Sequence, residues 1–208
     1  MNSVLQEILE KNGIPDGDRL VPLHSNMSLE EGDLIVKMFT AAAPRVSLEV
    51  GCAYGISTLF ACDALEALGG HHRHIVLDPF QNTQWEGLGM KNLARAGHIG
   101  KVELVEERSE IGLPRLLGTG LRIQAAIIDG WHTFDHTLID FFYINKMLDV
   151  GGVVVLDDTQ FPAVRHCAQH ILTYPAYRAV GAVGDDPTCI AFQKVAEDDR
   201  PWNWYAPF

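Results

Sequence analysis

Residues 46–58 read Val46-Ser47-Leu48-Glu49-Val50-Gly51-Cys52-Ala53-Tyr54-Gly55-Ile56-Ser57-Thr58. A short apolar run, a glycine-bearing turn and a helical stretch follow one another here, the opening of an α/β unit. Gly51 and Gly55 carry no Cβ, so the backbone can turn sharply and approach a ligand closely. A glycine pair after a strand also suits a tight turn that binds nothing. The rest of the chain has to decide between the two.

The same rhythm continues downstream. The pattern predicts strands at His74–Asp78, Val102–Glu106, Ala125–Asp129 and Val153–Asp157, separated by helices at Ile56–Leu68, Trp85–Ala96, Glu110–Leu117 and Phe134–Leu148. Gly151 and Gly152 stop the last of these helices. Strands that are apolar throughout and alternate with helices imply a parallel sheet covered on both faces. After a helix at Ala163–Leu172, Tyr177–Val183 and Cys189–Val195 read as strands with only Gly184–Thr188 between them. So short a link cannot carry a parallel crossover, and an antiparallel hairpin is expected. Upstream, Val4–Lys11 has helical spacing until Gly13, Pro15 and Gly17 break it. Leu29–Ala42 is a second helix, with Ser28 and Glu31 as a capping box and Pro44 as its stop. The expected fold is α/β: a three-layer sandwich on a seven-stranded, mostly parallel sheet with an antiparallel last strand. One domain is expected over 1–208, with an N-terminal helical segment (1–43), a core (44–196) and a tail (197–208).

Composition narrows the function. The 208 residues are 47% hydrophobic and 21% charged, ordinary globular values that permit a sizeable core. A net charge of -11 with scattered lysines and arginines argues against nucleic acid as a partner. Cys52, Cys62, Cys167 and Cys189 show no metal-ligand spacing and suit buried thiols in a reducing compartment. The N-terminus lacks the basic start and apolar run of a signal peptide, and no apolar stretch reaches the roughly 18 residues of a membrane span. A cytoplasmic location is expected, with no membrane partner.

Glu49, Asp78, Asp129, Asp157 and Asp158 all fall at or near the C-terminal end of a predicted strand, the edge where such sheets bind ligands. Asp78 lies 78 − 55 = 23 residues beyond Gly55, near the offset of about 20 at which an acid meets a nucleotide ribose. Glu49, just before the loop, disfavours a pyrophosphate and suits an ammonium or sulfonium group. The loop is G-x-x-x-G rather than G-x-G-x-x-G, and both features count against a dinucleotide. The segment resembles motif I of class I S-adenosylmethionine-dependent methyltransferases. L-D-P-F-Q, I-I-D-G-W-H and G-G-V-V-V-L-D-D resemble their O-methyltransferase-like branch, and the similarity runs from about Val46 to Val195. The resemblance implies a Rossmann-like fold and S-adenosylmethionine as methyl donor. It places Glu49, Gly51 and Gly55 around the methionine part, with Ala53, Tyr54 and Ser57 also among the cofactor-binding residues. Asp78, flanked by Pro79 and Phe80, falls at the ribose, Arg108 and Ser109 at the adenine, and Asp129 near the methionine end and the acceptor.

Methylating a hydroxyl requires positioning it and removing its proton, which a base or a metal ion can assist. His132, three residues past Asp129, is a candidate base, or a histidine satisfying local backbone groups. Asp129, Asp157 and Asp158 would suit Mg²⁺ if they converge, whereas Asp157 or Asp158 could instead cap the following segment. A His132/His136 metal pair is conceivable on helical spacing. His71, His72 and His74 precede the second strand, at the opposite edge, and read as a solvated loop. Trp85, Trp131 and Phe161 flank active-edge loops and suit either an acceptor pocket or the core. The acceptor pocket is expected from Met1–Met27, Phe80–Gly89 and Phe161–Tyr174. The aromatic tail suits packing on the domain or at a homodimer interface. The expected activity is small-molecule O-methylation. An NAD(P)-dependent oxidoreductase and a non-catalytic cofactor-binding module are the alternatives.

Overall fold

A computed structural model describes residues 1–24 and 27–207. Ser25, Asn26 and Phe208, which belong to the expected acceptor-side segment and to the tail, lie outside the described residues. Helix α1 (Ser3–Lys11) leads into a ribbon of β1 (Gly13–Asp16) and β2 (Arg19–Pro22), followed by α2 (Leu29–Ala42). The alternating core then runs β3 (Val46–Val50), α3 (Ile56–Leu68), β4 (Arg73–Leu77), α4 (Leu88–Arg95), β5 (Val102–Val105), α5 (Ser109–Gly118), β6 (Ile123–Ile128), α6 (Phe134–Met147) and β7 (Leu148–Leu156). Helix α7 (Pro162–Leu172) and the hairpin β8 (Tyr177–Val183) and β9 (Cys189–Lys194) complete it.

The large sheet has the order β5-β4-β3-β6-β7-β9-β8. Strands β3 to β7 pair in parallel, while β9 runs antiparallel to both neighbours, β7 and β8. Seven strands with an antiparallel closing strand are therefore present as expected, the chain's last strand slotting between β7 and β8. Period-2 alternation splits each strand between two cores. Ala125, Ile127, Val153 and Val155 face one cluster with α1 to α4, and Ala126, Ile128, Val154 and Leu156 face the other with α5 to α7. Both faces are covered, which is why these strands are apolar throughout.

Four local expectations differ. The Gly13–Pro22 stretch is not simply a break: it forms the β1–β2 ribbon, with Gly17 in the left-handed conformation at its turn. Helix α4 starts only at Leu88, because Gly87 is left-handed and turns precede it. Strand β7 begins immediately after α6, so Gly151 and Gly152 lie inside it rather than at its start. The end of α6 is set by Lys194, whose buried ammonium donates to the carbonyls of Asn145 and Leu148, both at 2.9 Å. The capping box of α2 is present, with Ser28 N–H donating to Glu31 (2.7 Å) and Glu31 N–H to the Ser28 hydroxyl (3.3 Å). The histidine group is also not a solvated loop. His72 is buried between the carbonyls of Pro44 and Gly69, His74 is fully buried, and only His71 is exposed.

His74 belongs to a polar network that pins the glycine loop's flanks. Glu49 on β3 is fully buried and accepts from the hydroxyls of Ser57 and Thr58 (2.7 Å for Thr58) on the first turn of α3. It also accepts from His74 Nε2 on β4 at 2.9 Å, while the Ser47 hydroxyl meets His74 Nδ1 at 2.7 Å. One carboxyl thus ties β3, β4 and α3 together beneath the loop. Replacing Glu49 by Ala orphans two hydroxyls and an imidazole, each unsatisfied group costing about 1–3 kcal/mol. Glu49→Ala should therefore lose about 3 kcal/mol or more in urea denaturation, and a loss under about 1 kcal/mol would contradict this role.

Candidate active site

The chain starts its sheet in the middle, at β3, builds outward to β4 and β5, then returns to place β6 on β3's other side. The loops leaving β3 and β6 diverge there and open a crevice at the strands' C-terminal ends. A cavity of about 930 Å³ occupies this crevice, within the range of ligand pockets.

The loop at its floor admits only glycine at its first position. Gly51 has φ +90°, and a Cβ there would lie 2.0 Å from the Asp129 carbonyl oxygen. Its N–H donates to Leu77 O at 2.9 Å, and Asp129 N–H donates to Val50 O at 2.9 Å, so the two strand ends close tightly on each other. Gly55, at φ +79°, starts α3 without a side-chain cap. Asp78 holds the loop from the front. It accepts from the N–H groups of Cys52 (3.2 Å), Ala53 (2.9 Å) and Phe80 (2.8 Å) and from Gln81 Nε2 (3.2 Å). Only 3% exposed, it still borders the cavity.

Most of the expected site residues meet here. Gly51, Ala53, Asp78, Pro79, Phe80, Arg108, Ser109, Asp129, His132, Asp157 and Asp158 all line the cavity, as do Trp85, Trp131 and Phe161. Glu49, Tyr54, Gly55 and Ser57 do not. Glu49 is turned inward because α3 and His74 offer three donors on that side, and Ser57 is one of them. The Tyr54 ring points away as well, its hydroxyl 2.7 Å from His24 Nε2 and its face 5.1 Å from Trp85. With Ser57 it borders instead a depression of about 10 Å³.

The far end of the cavity is acidic. Asp129, His132 and Asp158 bring one ligand atom each to within 4.8 Å of one another. His132 Nε2 is 3.2 Å from Asp158, whose backbone is left-handed at φ +59°. His132 joins Asp129 and Asp158 in this cluster, while Asp157 lines the same cavity and is, of the nearby charges, the one that acts most strongly on Asp129. Burial, then Asp157 and Asp158, holds the Asp129 carboxyl well above the usual carboxylate range. Burial and Glu31 likewise raise Asp157. His136 lines the cavity as well. Its Nδ1 meets the Thr133 hydroxyl at 2.7 Å, at the start of α6. Glu31 and Thr188 also line this end, hydrogen-bonded to each other. Sequence marked Glu31 only as a helix cap, since its approach to the hairpin turn is a tertiary event. Trp131, 61% exposed, and Phe161, with its ring 5.5 Å from that of His132, form an aromatic rim.

The matches to known proteins agree with this architecture. No curated protein matches the chain. The fold is shared with a Bacillus cereus O-methyltransferase crystallised with S-adenosylhomocysteine (18% identity, TM-score 0.72, covering 93% of this chain and 92% of that one). It is shared equally with TomG, the O-methyltransferase of tomaymycin synthesis in Streptomyces achromogenes, crystallised with S-adenosylmethionine (18%, 0.71, 94% and 91%). A third is the Podospora anserina methyltransferase PaMTH1, bound to S-adenosylhomocysteine (16%, 0.72, 94% and 89%). A family model of the methyltransferase domain matches residues 48–159, from the core of β3 to just past Asp158. With this match over more than half its length and a class I methyltransferase fold, the chain belongs to the methyltransferase-domain family and is a methyltransferase.

Proposed function

We propose that the chain transfers a methyl group from S-adenosylmethionine to a hydroxyl of a small molecule. The observation that carries this reading is the Gly51 cradle, where a Cβ would fill the approach to the floor, set beside the buried Asp78 carboxyl at the cavity's edge. S-adenosylmethionine supplies a sulfonium-activated methyl group when bound. In this reading Asp78, with Pro79 and Phe80 beside it, orients the ribose. Arg108 and Ser109 receive the adenine, and Gly51, Ala53 and Asp129 border the methionine part. The solved O-methyltransferases of the same fold, bound to the cofactor or its product, support the choice of ligand. The missing dinucleotide loop and the closing hairpin speak against an NAD(P)-dependent oxidoreductase, and a built cavity with a histidine–acid pair speaks against a silent module.

His132 is the group we assign to the acceptor's proton. Its Nε2 faces Asp158, whose carboxylate orients the imidazole and stabilises the imidazolium formed on accepting a proton. Trp131 and Phe161 offer apolar walls beside it for a small-molecule acceptor. A divalent cation held by Asp129, His132 and Asp158 is the second reading, favoured by their mutual approach. An imidazole in the donor set makes it a poorer fit to Mg²⁺, which prefers oxygen ligands, than three aspartates would be. The two readings exclude each other, because a metal-bound lone pair accepts no proton. Four buried cysteines without a disulfide suit the cytoplasm, and among the described residues no helix is long and apolar enough to cross a membrane. The exposed Trp202 and Tyr205 of the tail suit a homodimer interface.

In calorimetric titrations S-adenosylhomocysteine should bind and NAD should not. Asp78→Ala should weaken that binding about tenfold or more, since it releases the loop as well as the ribose contact. NAD binding with no S-adenosylhomocysteine binding would reverse the assignment. With a panel of phenolic and sugar acceptors, His132→Gln should lower turnover by about 10²–10⁴ while leaving S-adenosylhomocysteine affinity unchanged, and EDTA should have no effect. Activity abolished by EDTA and restored by a divalent cation would replace the base with the metal.

A further inference from the structure

Gln81, in the turn after β4, is fully buried and stands behind the cavity rather than on its wall. Its Nε2 donates to the Ala53 carbonyl at 2.9 Å and to Asp78 Oδ2 at 3.2 Å. Both partners are acceptors, so only the nitrogen end of the amide fits between them. Its Oε1 is buried with no partner among the described residues. An orphaned buried oxygen is costly, and here it belongs to a side chain whose two N–H groups are both used. Gln81 is placed for its donors.

What those donors hold is a strained peptide. Ala53 is left-handed at φ +46°, a conformation that a Cβ disfavours and that lasts only where the surroundings fix it. Its N–H is held by Asp78 Oδ2 at 2.9 Å and its carbonyl by Gln81. Gly89 lets α4 lie against this grip, since a Cβ there would meet Ala53 O at 2.7 Å and Gln81 Oε1 at 3.0 Å.

The same grip divides the two oxygens of Asp78. Oδ2 takes three donors, from Cys52, Ala53 and Gln81, whereas Oδ1 takes only the Phe80 N–H, at 2.8 Å. A carboxylate oxygen carries two lone pairs. Oδ2 is therefore full, and Oδ1 keeps one acceptor position for the cavity that Asp78 borders.

We propose that Gln81 is a positioning residue for the cofactor: it fixes Asp78 so that Oδ1 accepts one hydroxyl of the ribose, in place of a carboxylate that grips the diol through both oxygens. This rests on the reading that places the ribose at Asp78. Without the amide, Ala53 O loses this donor and Asp78 loses the contact that holds Oδ2 towards the loop.

The test is titration of S-adenosylhomocysteine and its 2′-deoxy and 3′-deoxy analogues into wild type and Gln81→Met, which keeps the side chain's length without its donors. In wild type the two analogues should differ in Kd by about tenfold, the worth of one charge-assisted hydrogen bond. Gln81→Met should bind S-adenosylhomocysteine and the tighter analogue about tenfold more weakly. The weaker analogue, which lacks the hydroxyl that Oδ1 accepts, should lose about threefold at most, the smaller worth of the neutral bond to the loop. All three ligands weakened alike would make Gln81 a support of the fold only and overturn the proposal. Two analogues of equal affinity for wild type would also overturn it, a comparison that stands even if Gln81→Met does not fold. A wild type that binds no S-adenosylhomocysteine would instead overturn the cofactor reading beneath it.

Discussion

The site depends on the contact between Gly51 and the Asp129 carbonyl. Strands β3 and β6 are neighbours whose outgoing loops part in opposite directions, and the crevice exists only because their ends meet without a side chain between them. Any Cβ at position 51 would push the β6 end, and Asp129 with it, away from the loop. Two acids hold this junction in place from opposite sides. Glu49 ties the start of α3 to the sheet from beneath, and Asp78 collects the loop's N–H groups from the front. Each has its oxygens engaged with donors, so the loop is preorganised rather than shaped by what enters it.

The cavity is electrically lopsided as a result of the topology. Arg108 follows β5 and Asp158 follows β7, four strands apart, or roughly 19 Å at the usual inter-strand spacing. Asp129, Asp157, Asp158 and Glu31 crowd the far end with His132 as the nearest basic group. Burial and mutual repulsion raise Asp129 and Asp157, so this end tends to hold protons in place of countercharges. A region of that kind is a natural acceptor of protons and cations, which suits the removal of a hydroxyl proton and the attraction of a positively charged sulfonium.

Much of this was legible in the sequence. The apolar strands, the capping box at Ser28, the short link between β8 and β9, and acids at the strand ends each follow from local chemistry or period. What escaped was direction. Glu49 stands where a ligand-facing acid is expected, but which way it turns depends on Ser57, Thr58 and His74, residues from two other elements. The same holds for Tyr54, drawn off by His24. The β1–β2 ribbon was hidden because its glycines and proline look like a plain break.

The most direct measurement is a crystal structure of the protein with S-adenosylhomocysteine. The account predicts the nucleoside in the crevice with its ribose on Asp78, the thioether passing over Gly51, and Glu49 still bonded to Ser57, Thr58 and His74. A product molecule held elsewhere, or a Glu49 carboxylate swung out to bind it, would contradict the claim that a rigid glycine junction makes this site.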